Sequence, residues 1–249
     1  MPGRGRAGDQ CRHEKKELIG DFRNAGRTWR RAPDAVNIHD FPGDALARAV
    51  PYGIYDVIAN DGWVYVGTSA ETAEFAVAVI VRWWTDEGRV RYPAAQRLLI
   101  LADSGGANGC QVHLWKERLQ RVLADEHGLE VTVCHYPTGC SKWNPVEHRL
   151  FGPISQNWAG IPLRTMDTML SLISGTRTKT GLVVKAHVFE GVYETGRTVS
   201  KKVMNWLDLV HADVCPRWNY SLRPRPLSDP PGTRGIRRLM AWDLAALKC

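Results

Sequence analysis

Asp103 lies where a continuous apolar segment, Leu98–Ala102, runs directly into Ser104-Gly105-Gly106. The segment predicts a short strand over Arg97–Ala102, and ligand sites in open α/β sheets collect at the carboxyl ends of such strands. A carboxylate there suits a hard divalent cation. An aspartate before two glycines is also common in turns and helix caps, so Asp103 alone leaves both roles open. The glycines match neither a dinucleotide fingerprint nor a phosphate loop.

Glu147 is the second acidic residue with a defined setting, since it follows Asn144-Pro145-Val146. Asn144 suits an N-cap, Pro145 the first helical position, and Glu147 the matching position of a capping box. Capping accounts for all three residue types. A glutamate in the first turn of a helix, beside the end of a neighbouring strand, could also bind a metal. Lys142 and His148 flank it, with surface roles or the orientation of water, phosphate or the glutamate as alternatives.

The elements that position both acids alternate along the chain. Hydrophobic patterning and turn residues predict strands and helices. The strands are Leu18–Phe22, Gly53–Ile58, Trp63–Gly67, Arg97–Ala102, Glu130–Cys134 and Val183–Val188; the helices are Thr72–Trp84, Val112–Ala124, Pro145–Phe151 and Thr165–Ile173. An antiparallel start followed by parallel crossovers predicts an α/β fold, with a mixed sheet flanked by helices. This is the element order of the ribonuclease H-like fold.

Composition bounds the class of protein. The 249 residues are 44% hydrophobic, enough for a full core, and no apolar run approaches the roughly 20 residues of a membrane span. A soluble cytoplasmic protein without membrane contact is expected. The formal net charge of +7 suits a polyanionic partner such as nucleic acid. The arginines at 23, 27, 30 and 31 could equally form a solvated face, and most of the ten tryptophans are expected in the core.

The six cysteines show no CxxC pair and no regular spacing, which predicts reduced structural thiols. A zinc site could be assembled from Cys134, His135, Cys140 and His148. Structural zinc sites favour two tight ligand pairs, so this alternative is weak.

Two motifs together carry a family resemblance. The segments 99–109, Leu-Ile-Leu-Ala-Asp-Ser-Gly-Gly-Ala-Asn-Gly, and 141–151, Ser-Lys-Trp-Asn-Pro-Val-Glu-His-Arg-Leu-Phe, closely resemble the Rhodopirellula-type DDE family of insertion-sequence transposases. Residues 15–29, 36–67 and 218–224 do so as well, and the resemblance extends over roughly residues 14 to 225.

The resemblance implies a ribonuclease H-like domain in which two aspartates and a glutamate hold two Mg²⁺ ions, with Mn²⁺ as an alternative. Such ions lie about 3.5–4 Å apart and activate an attacking water or 3′-hydroxyl. By resemblance Asp103 is the second acid and Glu147 the third. The implied partner is DNA, both insertion-sequence ends and target, and a homo-oligomer is left open.

The first acid of the family is missing. Aligning Lys15-Lys16-Glu17 with the family pattern Ser-Val-Asp-Thr-Lys-Lys-Lys-Glu places Gln10-Cys11-Arg12-His13 on its first four residues, so Arg12 occupies the position of the aspartate. If Gln10-Cys11-Arg12-His13 is encoded CAG TGT CGA CAC and followed by G, reading from the second base gives Ser-Val-Asp-Thr. A one-base loss near Glu14–Lys16 would therefore make residues 1–13 an out-of-frame segment, with the family's upstream region absent.

These observations predict three regions: a disordered segment at 1–13, a catalytic domain at 14–225 that lacks part of its first strand, and a basic tail at 226–249. The predicted function is metal-dependent DNA cleavage and strand transfer at insertion-sequence ends, catalytically impaired. The alternatives are a related metal-dependent nuclease and a noncatalytic DNA-binding transposase remnant.

Overall fold

The computed structural model describes residues 16–38 and 42–226, which form a mixed α/β architecture. The strands of this part of the chain are β1 Glu17–Ile19, β2 Ala47–Asp56, β3 Asp61–Gly67, β4 Arg97–Asp103, β5 Glu130–Tyr136, β6 Val183–Phe189, β7 Leu209–His211 and β8 Asn219–Leu222. Its α-helices are α1 Ala73–Trp83, α2 Arg89–Arg91, α3 His113–Arg118, α4 Gly152–Asn157, α5 Met166–Ser174 and α6 Lys201–Met204. Helical turns of wider, π-type geometry continue α1 over Trp84–Gly88 and α3 over Leu119–Asp125, and precede α4 over Val146–Phe151.

The first sheet has the order β1-β2-β3-β6, with β2 antiparallel to β1 and β3, and β6 parallel to β3. The β2–β3 turn contains Asn60, which has a positive φ of 57°. The Asp56 carboxylate accepts from the backbone N–H groups of Ile58 and Ala59 at 3.0 and 3.1 Å. An aspartate that binds its own turn and an asparagine that tolerates the left-handed region together explain why the chain reverses here.

The second sheet has the order β4-β5-β8-β7, in which β4 and β5 are parallel and β8 is antiparallel to both of its neighbours. Within the described ranges, β4 pairs only with β5. The strands therefore lie in two mixed sheets, whereas the sequence predicts one. Among the described residues, β1 forms a ladder of three residues with β2 and no ladder with β4.

Two apolar clusters join the sheets to the helices. In the larger, α1 and α3 pack on both sheets; its buried residues include Tyr52, Trp63, Phe75, Trp83, Trp115, Leu119, Val131 and Val133. In the smaller, the segment 146–157 and α5 cover the other face of the first sheet; this cluster includes Val64, Val66, Leu150, Ile154 and Met169. Trp63 and Val64 belong to different clusters because successive residues of a strand point to opposite faces.

The mixed α/β class and most predicted elements are confirmed, with shifts at their ends. The strand before Asp103 and the helices near Thr72 and Thr165 form as expected, and Thr72 caps α1 by accepting from the Phe75 N–H at 3.2 Å. Helix α6 and strands β7 and β8 were not predicted because each has at most four residues.

Two further expectations bear on the ends of the chain and on its thiols. The segment 1–13 and all but the first residue of the expected tail lie outside the described residues. Cys110, Cys134, Cys140 and Cys215 are unpaired thiols, as expected. None of the helices in the described part is long and apolar enough to cross a membrane.

Candidate functional site

Asp103 is the last residue of β4 and lies opposite Tyr136 in the parallel β4–β5 ladder. Its carboxyl group is half-buried at the shared carboxyl end of the two strands. The following loop folds back on itself, since Cys110 N–H donates to the Ser104 carbonyl at 3.2 Å. Gly109 is required there because an added Cβ would lie 3.0 Å from the same carbonyl oxygen. The sequence thus places Asp103 at the strand end, as predicted.

Asn144 connects Asp103 to the start of the next helix. Its side-chain Nδ2 donates to Asp103 Oδ1 at 3.0 Å, and its Oδ1 accepts from the Val146 backbone N–H at 3.3 Å. These two partners determine which amide atom is nitrogen, since only N–H can donate to a carboxylate. Asn144 is buried, at 3% exposure, so both bonds are sheltered from water. One residue therefore caps the helix, as predicted, and also orients the carboxylate at the end of β4.

Glu147 lies in the first turn of this helix and is half-buried. Its backbone N–H donates to the Asn144 carbonyl at 3.2 Å, so Glu147 lies one turn from the residue that binds Asp103. The helix is seated on the β2–β3 hairpin through Leu150, because an added Cβ on Gly62 would lie 2.3 Å from Leu150 Cδ1. The structure brings Asp103 and Asn144 into contact and places Glu147 three residues beyond that contact.

The cations predicted beside Glu147 are at the surface. Lys142 and His148 are both exposed, and Lys142 Nζ lies 5.3 Å from the centroid of the Trp143 ring. Trp143 is itself 68% exposed. A lysine held over an exposed aromatic ring next to an acidic residue is an arrangement that can meet a phosphate or a base.

A buried network of hydrogen-bonded side chains holds the end of β4. The sequence patterns do not predict it. His135 Nδ1 lies 2.9 Å from the Asp103 carbonyl oxygen, and His135 Nε2 lies 3.4 Å from the Tyr220 hydroxyl. Trp115 Nε1–H donates to the same hydroxyl at 3.0 Å. A proton on His135 Nδ1 is consistent with all three hydrogen bonds: Nδ1–H donates to the Asp103 carbonyl, and the Tyr220 hydroxyl donates to Nε2 while it accepts from Trp115. The sequence feature that could have indicated these contacts is the inward position of His135 in a strand of alternating burial. From the sequence, His135 is considered only as a zinc ligand.

Burial governs the titration of this chain of residues. It lowers the pKa of His135 below its ordinary value of 6.5, and the pKa of the neighbouring Lys116 is lowered by burial too. The pKa of the Tyr220 hydroxyl is raised by the same cause. Burial, followed by the charge of Asp103, raises the pKa of Tyr136. His135 is thus neutral at pH 7 and acts through its hydrogen bonds.

One oxygen of the Asp103 carboxylate is hydrogen-bonded within the described residues. Asp103 Oδ1 is bound to Asn144, whereas Oδ2 accepts no hydrogen bond within residues 16–38 and 42–226. No group of three or more His, Cys, Asp or Glu side chains that could hold a metal forms in these ranges, so the zinc alternative is not supported there. Arg12, expected at the position of the first acid, lies outside the described residues. Two carboxylates do not complete a two-ion site.

Asp103, at the end of a parallel strand, is hydrogen-bonded to the residue that begins the helix carrying Glu147. The chain belongs to the family described as the Rhodopirellula transposase DDE domain, whose family model matches residues 11–224. This agrees with the resemblance carried by the two motifs. No curated protein and no solved structure matches the chain.

Proposed function

We propose that this chain is a DNA transposase domain for metal-dependent cleavage and strand transfer at insertion-sequence ends, and that it is catalytically impaired. The observation that supports the site is the 3.0 Å hydrogen bond from Asn144 to Asp103, which links the end of β4 to the helix of Glu147. Membership of the DDE transposase family supports the reaction class.

In this proposal Asp103 and Glu147 are metal ligands. Asp103 contributes the carboxylate oxygen that is not bonded to Asn144, and Glu147 contributes its carboxylate from the first helical turn. Bound Mg²⁺ ions, or Mn²⁺ in their place, supply charge stabilisation and nucleophile activation in two-ion phosphoryl transfer. Asn144 is a positioning residue, because it holds one oxygen of Asp103 and the helix start at once.

The impairment follows from Arg12. A guanidinium at the position of the first acid repels divalent ions and provides no oxygen ligand. Because two carboxylates hold two divalent ions poorly, we expect little or no Mg²⁺-dependent strand transfer from the unmodified chain.

The test compares three proteins on the element's own ends: the unmodified chain, a frame-restored version carrying the upstream sequence and Ser-Val-Asp-Thr, and the same version with that aspartate changed to alanine. Strand transfer is measured with Mg²⁺ by the appearance of joined products. Activity only in the version with the aspartate supports the proposal. Robust activity of the unmodified chain refutes the defect, and hydrolysis without joining in the restored version identifies a nuclease.

The exposed arginines between positions 23 and 31 favour one further candidate, a noncatalytic DNA-binding remnant. Such a remnant binds DNA in low salt yet remains inactive after the frame is restored.

A further inference from the structure

Residues 23–36, here called the arginine loop, follow β1 and carry an exposed tryptophan among arginines. Trp29 is fully exposed, and Arg23, Arg27 and Arg31 are exposed as well. None of these three arginines forms a salt bridge with another described residue. An isolated exposed apolar residue is ordinary, but a whole indole ring flanked by uncompensated guanidinium groups forms a distinct chemical surface.

The first half of the loop is held firmly against the segment after α4. Gly160 N–H donates to the Ala25 carbonyl at 2.7 Å, and the Asn24 side chain donates to the Trp158 and Ile161 carbonyls at 3.2 and 3.3 Å. The contact is close enough to require glycine, because an added Cβ on Gly160 would lie 2.7 Å from the Arg27 carbonyl carbon. The loop backbone is thus positioned by long-range hydrogen bonds.

The second half of the loop is fastened by ion pairs. Arg164 binds Asp34 at 2.7 Å and Asp21 at 3.0 Å, and Arg30 pairs with Asp34. Arg30 is therefore compensated within the loop, unlike the three other arginines. Between the loop and the Gly160 region lies an open cavity of about 450 Å³. The loop presents an exposed ring, arginines without an ion pair among the described residues, and a concave surface together.

This combination matches the chemistry of single-stranded nucleic acid. Base stacking on an aromatic ring is sequence-tolerant, and arginine binds phosphate oxygens through a planar fork. A duplex keeps its bases stacked on each other, so a fully exposed tryptophan adds affinity mainly when a base is unpaired. The cavity gives such a base and its sugar a place to lie.

We propose that the arginine loop binds an unpaired nucleotide of DNA, with Trp29 stacking on the base and Arg27 and Arg31 contacting the flanking phosphates. The proposal rests on the proposed function, since it assumes a DNA substrate. The loop is hydrogen-bonded to Trp158, Gly160 and Ile161, in the segment that follows the helix carrying Glu147.

The experiment measures binding of the full chain to a fluorescent 20-nucleotide single strand and to its duplex by anisotropy. Trp29→Ala should weaken single-strand binding about tenfold and duplex binding less than twofold. Trp29→Phe should restore most of the loss because the phenyl ring still stacks. Arg27→Ala and Arg31→Ala should weaken both probes and lower the slope of log K against log salt by about one each. Val192→Ala is the control, at an apolar side chain that is 91% exposed and lies outside the arginine loop.

The outcomes separate this proposal from the proposed function. Unchanged single-strand affinity in Trp29→Ala, or an equal loss in Val192→Ala, overturns the role of the arginine loop while leaving DNA binding intact. No DNA affinity of the unmodified chain at low salt overturns both. Thermal melting of each variant identifies loss of fold, and Trp29→Ala should melt like the unmodified chain because the ring is fully exposed.

Discussion

Asn144 combines two functions that are usually carried by separate residues. It caps a helix and donates to Asp103, so Asn144→Ala removes the cap and leaves a half-buried carboxylate without this donor. We expect the free energy of unfolding to fall by about 2–3 kcal/mol. Ser200→Ala, which removes only a cap that accepts from the Val203 backbone N–H at 3.3 Å, should cost about 1 kcal/mol. Denaturant unfolding of both variants checks this; equal losses would mean that the Asp103 contact contributes nothing.

His135 should make stability depend on pH. Its folded-state pKa is lowered by burial, so the unfolded chain binds the proton more readily, and stability present above about pH 6.5 is lost as pH falls toward the folded pKa. His135→Gln should therefore be less stable than the unmodified chain at pH 8, with the gap narrowing toward pH 5.

The measurement is guanidinium unfolding at several pH values between 5 and 8. His127, whose pKa is also lowered by burial, provides the comparison. The difference in unfolding free energy between His127→Gln and the unmodified chain should change with pH in the same direction, but this variant leaves the hydrogen bonds to Asp103 intact. If the difference in unfolding free energy between His135→Gln and the unmodified chain stays constant across this range, the burial of His135 does not make stability depend on pH.

At the scale of elements, the helix of Glu147 depends on a glycine in β3. Gly62→Ala drives a methyl group into Leu150, whose Cδ1 would lie 2.3 Å away, and should cost about 1–3 kcal/mol of stability. Leu150→Ala opens a cavity and costs about 2–5 kcal/mol alone. The double variant should lose less stability than the sum of the two single losses, because the alanine at position 150 leaves room for the methyl group at position 62.

Gly43→Ala is the control for Gly62→Ala, since nothing lies within 4 Å of the added Cβ at position 43. Its melting temperature should match that of the unmodified chain. Fully additive losses in the Gly62 and Leu150 double variant would contradict the contact between hairpin and helix.

Strand β4 has a second edge that is unpaired within the described part of the chain. Leu99 and Leu101, on one face of it, are 59% and 40% exposed. Exposed apolar edge strands promote association between chains, and a charge on the edge opposes it. Leu99→Lys should reduce self-association in light scattering at high protein concentration. Val192→Lys, at a residue 91% exposed outside the strands, should not; equal effects would mean that the edge plays no part.

At the scale of the whole molecule, the net charge of +7 predicts salt-sensitive DNA binding. Raising the salt concentration from 50 to 200 mM should weaken DNA binding at least tenfold if several phosphates are neutralised. Asp103→Ala should leave the affinity unchanged, because phosphate contacts depend on lysine and arginine. Filter binding over a salt series measures both. Salt-insensitive binding would argue against contacts to the DNA backbone.

The sequence by itself determined the features that depend on neighbouring residues. The apolar segment ending at Asp103, the cap of Asn144 and the hairpin around Asn60 follow from periodicity and turn chemistry over a few positions. The two motifs also indicated the transposase family, because each motif consists of neighbouring residues. The same locality left the ends of elements imprecise: the strand predicted at Gly53–Ile58 extends over Ala47–Asp56.

Only the tertiary structure decided which distant residues meet. The bond between Asn144 and Asp103, the chain from His135 through Tyr220 to Trp115, and the anchoring of the arginine loop on Gly160 each join residues far apart in sequence. The division into two sheets is of the same kind, since it depends on which strands pair with each other. Such contacts are selected by packing and hydrogen bonding across the whole chain, and no local pattern of residues records them.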